Sequence, residues 1–204
     1  MINRKVLFLL MCVTMVVDHV GLVFFPGVIW WRLVGRVGFV LFVVGVGMGL
    51  RYTRDVLDYA GRLFVLGVMS QGLVWSLNGV VSLCCVWGFF LSALIWRSWC
   101  ERDWLGLGVL LFVSGFIPVD YGMAWILGPV IIAGSGRWVG VAAACVSLLA
   151  AVCLGSVMQV FGVLGAVLVW RGVKESAGFP RWLVYGFYPV HIGVIICCRD
   201  MLCR

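Results

Sequence analysis

Six ionisable side chains interrupt apolar stretches that would otherwise run unbroken. Asp18 and His19 end the first such run, and Arg32 and Arg36 open the second. Asp120 lies in the turn between the fifth and sixth runs, and His191 sits near the middle of the last. Ionisable groups are costly inside apolar segments, so they are candidates for function before they are candidates for packing. An imidazole serves as a general base near neutral pH, which makes His19 the candidate base. Adjacent residues project about 100° apart on a helix. Asp18 is therefore better placed to engage Arg32 or Arg36 than to hold the His19 ring. Arg32 and Arg36, four apart, share a helical face and repel each other unless a carboxylate or anion lies between them. Asp18 and Asp120 are the carboxylates available for that place. Two readings stay open: a buried ion-pair network that holds helices in register, or a catalytic cluster. In the second, an arginine or His191 steadies an oxyanion after His19 takes a proton. His191 can equally make an interhelical hydrogen bond, since Pro189 frees a backbone carbonyl nearby.

Two further groups of polar residues lie outside this cluster. Gln71, Trp75 and Asn78 recur at i, i+4 and i+7, with Ser70 beside them. Such a stripe ordinarily makes hydrogen bonds between helices, and its alternative is to line a substrate path. Arg51, Arg54 and Arg62 cluster between two apolar runs, as do Arg171, Lys174 and Arg181 later in the chain. Basic loops set topology, but arginines also take phosphates in bidentate fashion, so these are candidates for a nucleotide-like cofactor. The nine cysteines include no CxxC pair, and most sit within apolar runs as small hydrophobes. Neither a metal site nor a disulfide framework is expected.

The elements that must position these groups follow from composition. The 204-residue chain is 64% hydrophobic and 11% charged, with mean hydropathy +1.16. A soluble domain carries about 25% charged residues, so lipid must be the solvent for most of this surface. Runs such as VGVAAACVSLLAAVCL lack the alternation of a transmembrane β-barrel. The expected fold is an all-α, polytopic membrane helix bundle forming a single domain over residues 1–204. About nine transmembrane segments can be drawn, at 6–25, 34–50, 62–77, 80–96, 105–117, 121–134, 138–154, 156–170 and 182–198. The fifth and sixth are short and read as a tight hairpin around Pro118 or as partly re-entrant. The first run, preceded by Arg4 and Lys5, reads as a retained span rather than a cleaved signal. With the N-terminus in the cytoplasm, most basic residues fall inside, as the positive-inside rule requires. The net charge of +7 is scattered at run ends, which fits topology and lipid headgroups rather than nucleic acid. This orientation places Asp18, His19, Arg32, Arg36 and Asp120 in the outer half of the membrane. His191, about nine residues into the last run, falls roughly 14 Å deep.

Taken in order, MVVDHVG (15–21), RLVGRVGFVLF (32–42), YTRDVLDYAGRL (52–63), SQ (70–71), DYG (120–122) and WLVYGFYPVHI (182–192) resemble the TraX family. These are membrane acetyltransferases named for the enzyme that acetylates the N-terminus of conjugative pilin. The resemblance spans nearly the whole chain and implies roles for Asp18, His19, Arg32, Arg36, Arg54, Arg62, Asp120, Tyr121, Tyr188 and His191. It departs from the family pattern at Val40 and Gly72, where proline is common. It implies acetyl-CoA as the donor, its phosphates on the basic loops around Arg51, Arg54 and Arg62. The acyl cavity would draw on Asp120, Tyr121 and Tyr188, together with Gln71 and Asn78 of the polar stripe. The acceptor would be a pilin-like small membrane protein or another amine or hydroxyl, and the location the inner (cytoplasmic) membrane. The rival classes are a channel or transporter with an Asp/His/Arg relay, and a structural assembly protein.

Overall fold

The computed structural model describes residues 1–78, 83–119, 122–174 and 178–202, and all but the side chain of Asn78 within them. Among these residues nine α-helices follow one another. They are α1 (Arg4–Phe24), α2 (Ile29–Tyr52), α3 (Val56–Asn78), α4 (Cys85–Glu101), α5 (Trp104–Ser114), α6 (Gly122–Gly134), α7 (Val139–Cys153), α8 (Gly162–Leu168) and α9 (Arg181–Leu202). All nine fall on the apolar runs drawn from the sequence. Five of them, α1, α2, α3, α9 and the stretch Gly136–Cys153 containing α7, are long and apolar enough to cross a membrane. The all-α membrane fold therefore stands. Nine full crossings do not follow from it. At 1.5 Å per residue, α5 and α6 are about 17 and 20 Å long, short of a hydrocarbon core of roughly 30 Å. Large apolar side chains such as Leu105, Val152 and Trp182 stand exposed on the outside of the bundle, where lipid is the solvent that suits them.

The helix ends are set by local chemistry. Asn3 accepts from the Lys5 amide at the start of α1. Asp55 accepts from the amides of Leu57 and Asp58 at the start of α3. Asp103 accepts from Gly106 at the start of α5, so each occupies orphan N–H groups of a first turn. The sequence Pro26-Gly27 breaks the chain between α1 and α2. A two-residue parallel pairing of β1 (Ile2–Asn3) with β2 (Val173–Lys174), which the apolar pattern did not foreshadow, ties the N-terminus beside the start of α9.

The bundle is organised around α2, which packs on α1, α6, α7 and α8 and buries Val40, Leu41, Val43 and Val44 completely. Glycines permit the approach. A Cβ at Gly38 would lie 2.6 Å from Thr14 Oγ1, and one at Gly45 would lie 2.8 Å from Met11 Cε. Val40, at a departure from the family pattern, faces Gly162 and Gly165 of the α8 segment and fills the core there. The α5–α6 hairpin docks its tip on the strand of chain before α4. The Leu83 amide donates to the Pro118 carbonyl at 3.0 Å, and Trp125 Nε1 donates to the Cys85 carbonyl at 2.6 Å.

A Cβ at Gly47 would sit 2.7 Å from the Pro129 carbonyl oxygen and 2.6 Å from Ile132 Cβ. Gly47→Leu is therefore expected to force α2 off α6 and to cost about 1–3 kcal/mol of stability. Gly61→Ala, which meets nothing within 4 Å, should leave stability equal or raised. Thermal denaturation of the detergent-solubilised protein checks both.

Candidate functional site

The packing of α1 against α2 creates the polar site. Gly35 presents bare backbone to Asp18, and a side chain there would collide with the Asp18 carboxylate. In that space Arg32 Nη1 donates to Asp18 Oδ1 at 2.9 Å. Asp18 thus serves the arginine row rather than the ring of His19, as the 100° offset requires. Arg36, one turn along the same face, is buried beside this pair. Their common cavity has a volume of about 710 Å3 and is lined by Asp18, His19, Arg32, Arg36, Trp125 and Tyr188, among others.

His19 takes its partner from the far end of the chain. Its Nδ1 lies 3.0 Å from His191 Nε2, while His191 Nδ1 lies 2.9 Å from the Phe187 carbonyl oxygen. A carbonyl only accepts, so His191 Nδ1 carries a proton. With both rings neutral, His191 Nε2 is then the acceptor and His19 Nδ1 the donor. The consequence is an unprotonated His19 Nε2, the form a general base needs. Stacking of the His191 ring on Phe187, with centroids 4.8 Å apart and planes 10° apart, holds the relay in orientation.

The structure therefore brings together Asp18, His19, Arg32, Arg36, His191 and Tyr188. His191 is engaged at both nitrogens, by His19 and by the Phe187 carbonyl, so in this arrangement neither is open to an oxyanion, the role considered for it. Gln71 makes the interhelical hydrogen bonds expected of its stripe, and only its placement in the acyl cavity is corrected. Its Oε1 accepts from the Cys84 amide and from Trp87 Nε1, and it lines neither cavity. It is a structural clasp. Asp120 and Tyr121 lie outside the described residues, as does the side chain of Asn78. Gly72 meets nothing within 4 Å.

A second cavity, of about 740 Å3, opens at the opposite end of the same helices. Its described lining includes five cations, Arg4, Arg54, Arg62, Lys174 and Arg181, against two carboxylates, Asp55 and Asp58. Arg62 Nε donates to Tyr185 Oη at 3.2 Å, and its guanidinium lies 5.8 Å from the Tyr59 ring centroid. Arg54 and Arg62 are thus lining residues of this cavity. Arg51 is not; its guanidinium lies over the Tyr52 ring, 5.6 Å from the centroid, and does not line the cavity. The reason is the end of α2, which turns position 51 away from the face carrying Gly45, Gly49 and Tyr52. Missed in the sequence were Tyr59, Tyr185 and Arg199, the last lining the first cavity. For Tyr185 the available signal was a helical stripe of Arg181, Tyr185 and Tyr188 at i, i+4 and i+7.

Among known families, the chain matches the TraX protein family over residues 3–199. The chain belongs to the TraX family. No curated protein and no solved structure matches it. The TraX match runs through every helix that lines the two cavities, from α1 to α9. Membership and the long apolar helices together make this chain a membrane protein of the TraX family.

Asp18→Asn should remove the carboxylate facing Arg32 and leave charge uncompensated in the TraX cavity, costing roughly 1–3 kcal/mol. Adding Arg32→Met to that variant should recover part of the loss, because the guanidinium left behind is then gone. A double-mutant cycle on thermal midpoints measures the coupling, and additive losses would show that the pair does not interact.

Proposed function

We propose that this protein is a membrane-embedded acetyltransferase that takes acetyl from cytoplasmic acetyl-CoA and passes it to an acceptor at the outer half of the inner membrane. The observation that carries the reading is the Phe187–His191–His19 relay, which leaves a base lone pair on His19 Nε2 inside a polar cavity. The basic cavity supports the donor half. Its excess of guanidinium and ammonium groups suits the phosphates of CoA, and the rings of Tyr59 and Tyr185 offer faces for an adenine. The positive-inside rule makes that end, and the N-terminus with it, cytoplasmic.

In the reaction, the acceptor amine or hydroxyl attacks the thioester carbonyl as His19 Nε2 removes its proton. Protonated His19 keeps donating from Nδ1 to His191, so the new charge is shared by a bonded pair. The tetrahedral oxyanion is met by a guanidinium of the cavity, Arg32 and Arg36 being the candidates that line it. Collapse breaks the C–S bond, the proton passes from His19 to the CoA sulfur, and the acetylated acceptor and free CoA leave. A pilin-like N-terminal amine is the acceptor that the family suggests. An apolar peptide with a free α-amine is a suitable probe.

His19→Ala should lower transfer of radiolabelled acetyl to that peptide, in membranes, by about 10²–10⁴-fold. Stabilisation by CoA should be unaffected. Undiminished transfer in that variant would remove the proposed base. Acetyl-CoA should raise the thermal midpoint of the detergent-solubilised protein in a concentration-dependent way. Arg62→Ala should weaken this binding about ten- to a hundredfold, as expected for losing a charged hydrogen bond. Ion flux through proteoliposomes with no response to acetyl-CoA would favour a channel instead.

A further inference from the structure

The two cavities share part of their lining. Met15 of α1, Phe42 of α2, Cys85 of α4 and Tyr188 of α9 line both. Along α1, Met11 lines only the basic cavity and Asp18 only the opposite one, with Met15 between. Along α2 the order reverses, through Phe39, Phe42 and Gly45, as it must for an antiparallel neighbour. On α9, Tyr185 belongs to the basic cavity and Tyr188 to both. Each of the four shared side chains faces both cavities, so at their level the wall is a single layer of side chains. Cys85 Sγ and Tyr188 Oη, 3.2 Å apart, close one side of it by a hydrogen bond. Met15 and Phe42 close the other with apolar groups. Of these Met15 is the adaptable one, with three rotatable bonds and no branch. His19 follows Met15 by four residues, about 6 Å of helical rise. A group that passes the layer therefore emerges at the level of the base.

We propose that Met15, Phe42, Cys85 and Tyr188 form a septum through which the donor's acyl end crosses, and that its narrow section restricts the acyl group to a short, unbranched one. The identity of what crosses rests on the acyl-CoA reading above; the existence of a one-layer septum does not. A linear thioester arm needs only the width of one methylene chain to pass between Met15 and the Cys85–Tyr188 pair. A branch beside the carbonyl adds a methyl that the layer must yield to. One methyl in a close-fitting apolar site is worth about 10–200-fold in discrimination.

The test uses the intact protein in oriented proteoliposomes. A small, charged, membrane-impermeant methanethiosulfonate is applied from one face or the other, and modification of the Cys85 peptide is read by mass spectrometry. Cys85 should react from both faces, and CoA at the basic face should block only the reaction from that face. Reaction from one face alone, or from neither, would overturn the septum. Two-sided reaction without CoA protection would uphold the septum and count against the acyl-CoA reading, so the two failures are distinct. The filter is then read as the ratio of CoA released from acetyl-CoA to that from isobutyryl-CoA. Met15→Ala should lower this ratio tenfold or more, with Phe42→Ala as the independent second variant. A ratio unchanged in both would overturn the filter.

Discussion

A carbonyl oxygen has no proton to give, and that constraint fixes the state of the polar cavity. Because the Phe187 carbonyl faces His191 Nδ1, the proton of that ring is committed there, and the direction of the next hydrogen bond follows. His19 must donate from Nδ1 and must keep Nε2 bare while both rings are neutral. The relay needs no carboxylate behind the imidazole. Asp18, adjacent in sequence, is thereby released to neutralise Arg32. Division of labour between neighbours 18 and 19 is a direct result of the 100° step between them.

Everything that holds this arrangement in place is a device for bringing charged groups into a lipid-solvated bundle at tolerable cost. Arg32 enters with a partner within hydrogen-bond distance. Asp18 reaches that partner because Gly35 carries no side chain to block it. His191 enters with both ring nitrogens satisfied and its face against Phe187. At the other end the cations gather around one cavity, where Arg62 finds a hydrogen-bond partner in Tyr185. The two ends thus have different chemistry in the same helices: an excess of cations at one, and a histidine pair beside an Arg–Asp ion pair at the other. A transfer that begins with a phosphate-bearing donor and ends with a proton removed from an acceptor would use both.

The α5–α6 hairpin illustrates how helices too short to span still contribute. Its tip packs on the chain before α4, and Trp125 holds the Cys85 carbonyl. This places the first residue of α4 where the two cavities meet rather than at a membrane surface. Ser92 accomplishes the same task deeper in the pair, donating to the Ile126 carbonyl at 2.6 Å. The shortness of the hairpin is therefore part of the site.

Composition and order along the chain determined the lipid-embedded, all-helical character, because 64% apolar residues admit no other solvent for that surface. They also marked Asp18, His19, Arg32, Arg36 and His191, since an ionisable group stands out against an apolar run. The pairing of Asp18 with the arginine row was legible because it depends only on helical geometry within two consecutive segments. The pairing of His19 with His191 was not, since 172 residues separate them and no periodicity links the first helix to the last. Gln71 shows the converse: its stripe on α3 was visible, but its clasp on Cys84 and Trp87 depends on how α4 docks. Arg51 failed for a similar reason, its direction being set by the last turn of α2 rather than by its membership of a basic cluster. The shared wall of Met15, Phe42, Cys85 and Tyr188 lay furthest from view. Three of them are ordinary apolar residues in their own segments, Tyr188 alone being marked by the family resemblance, and only the convergence of four helices at one level makes them a boundary.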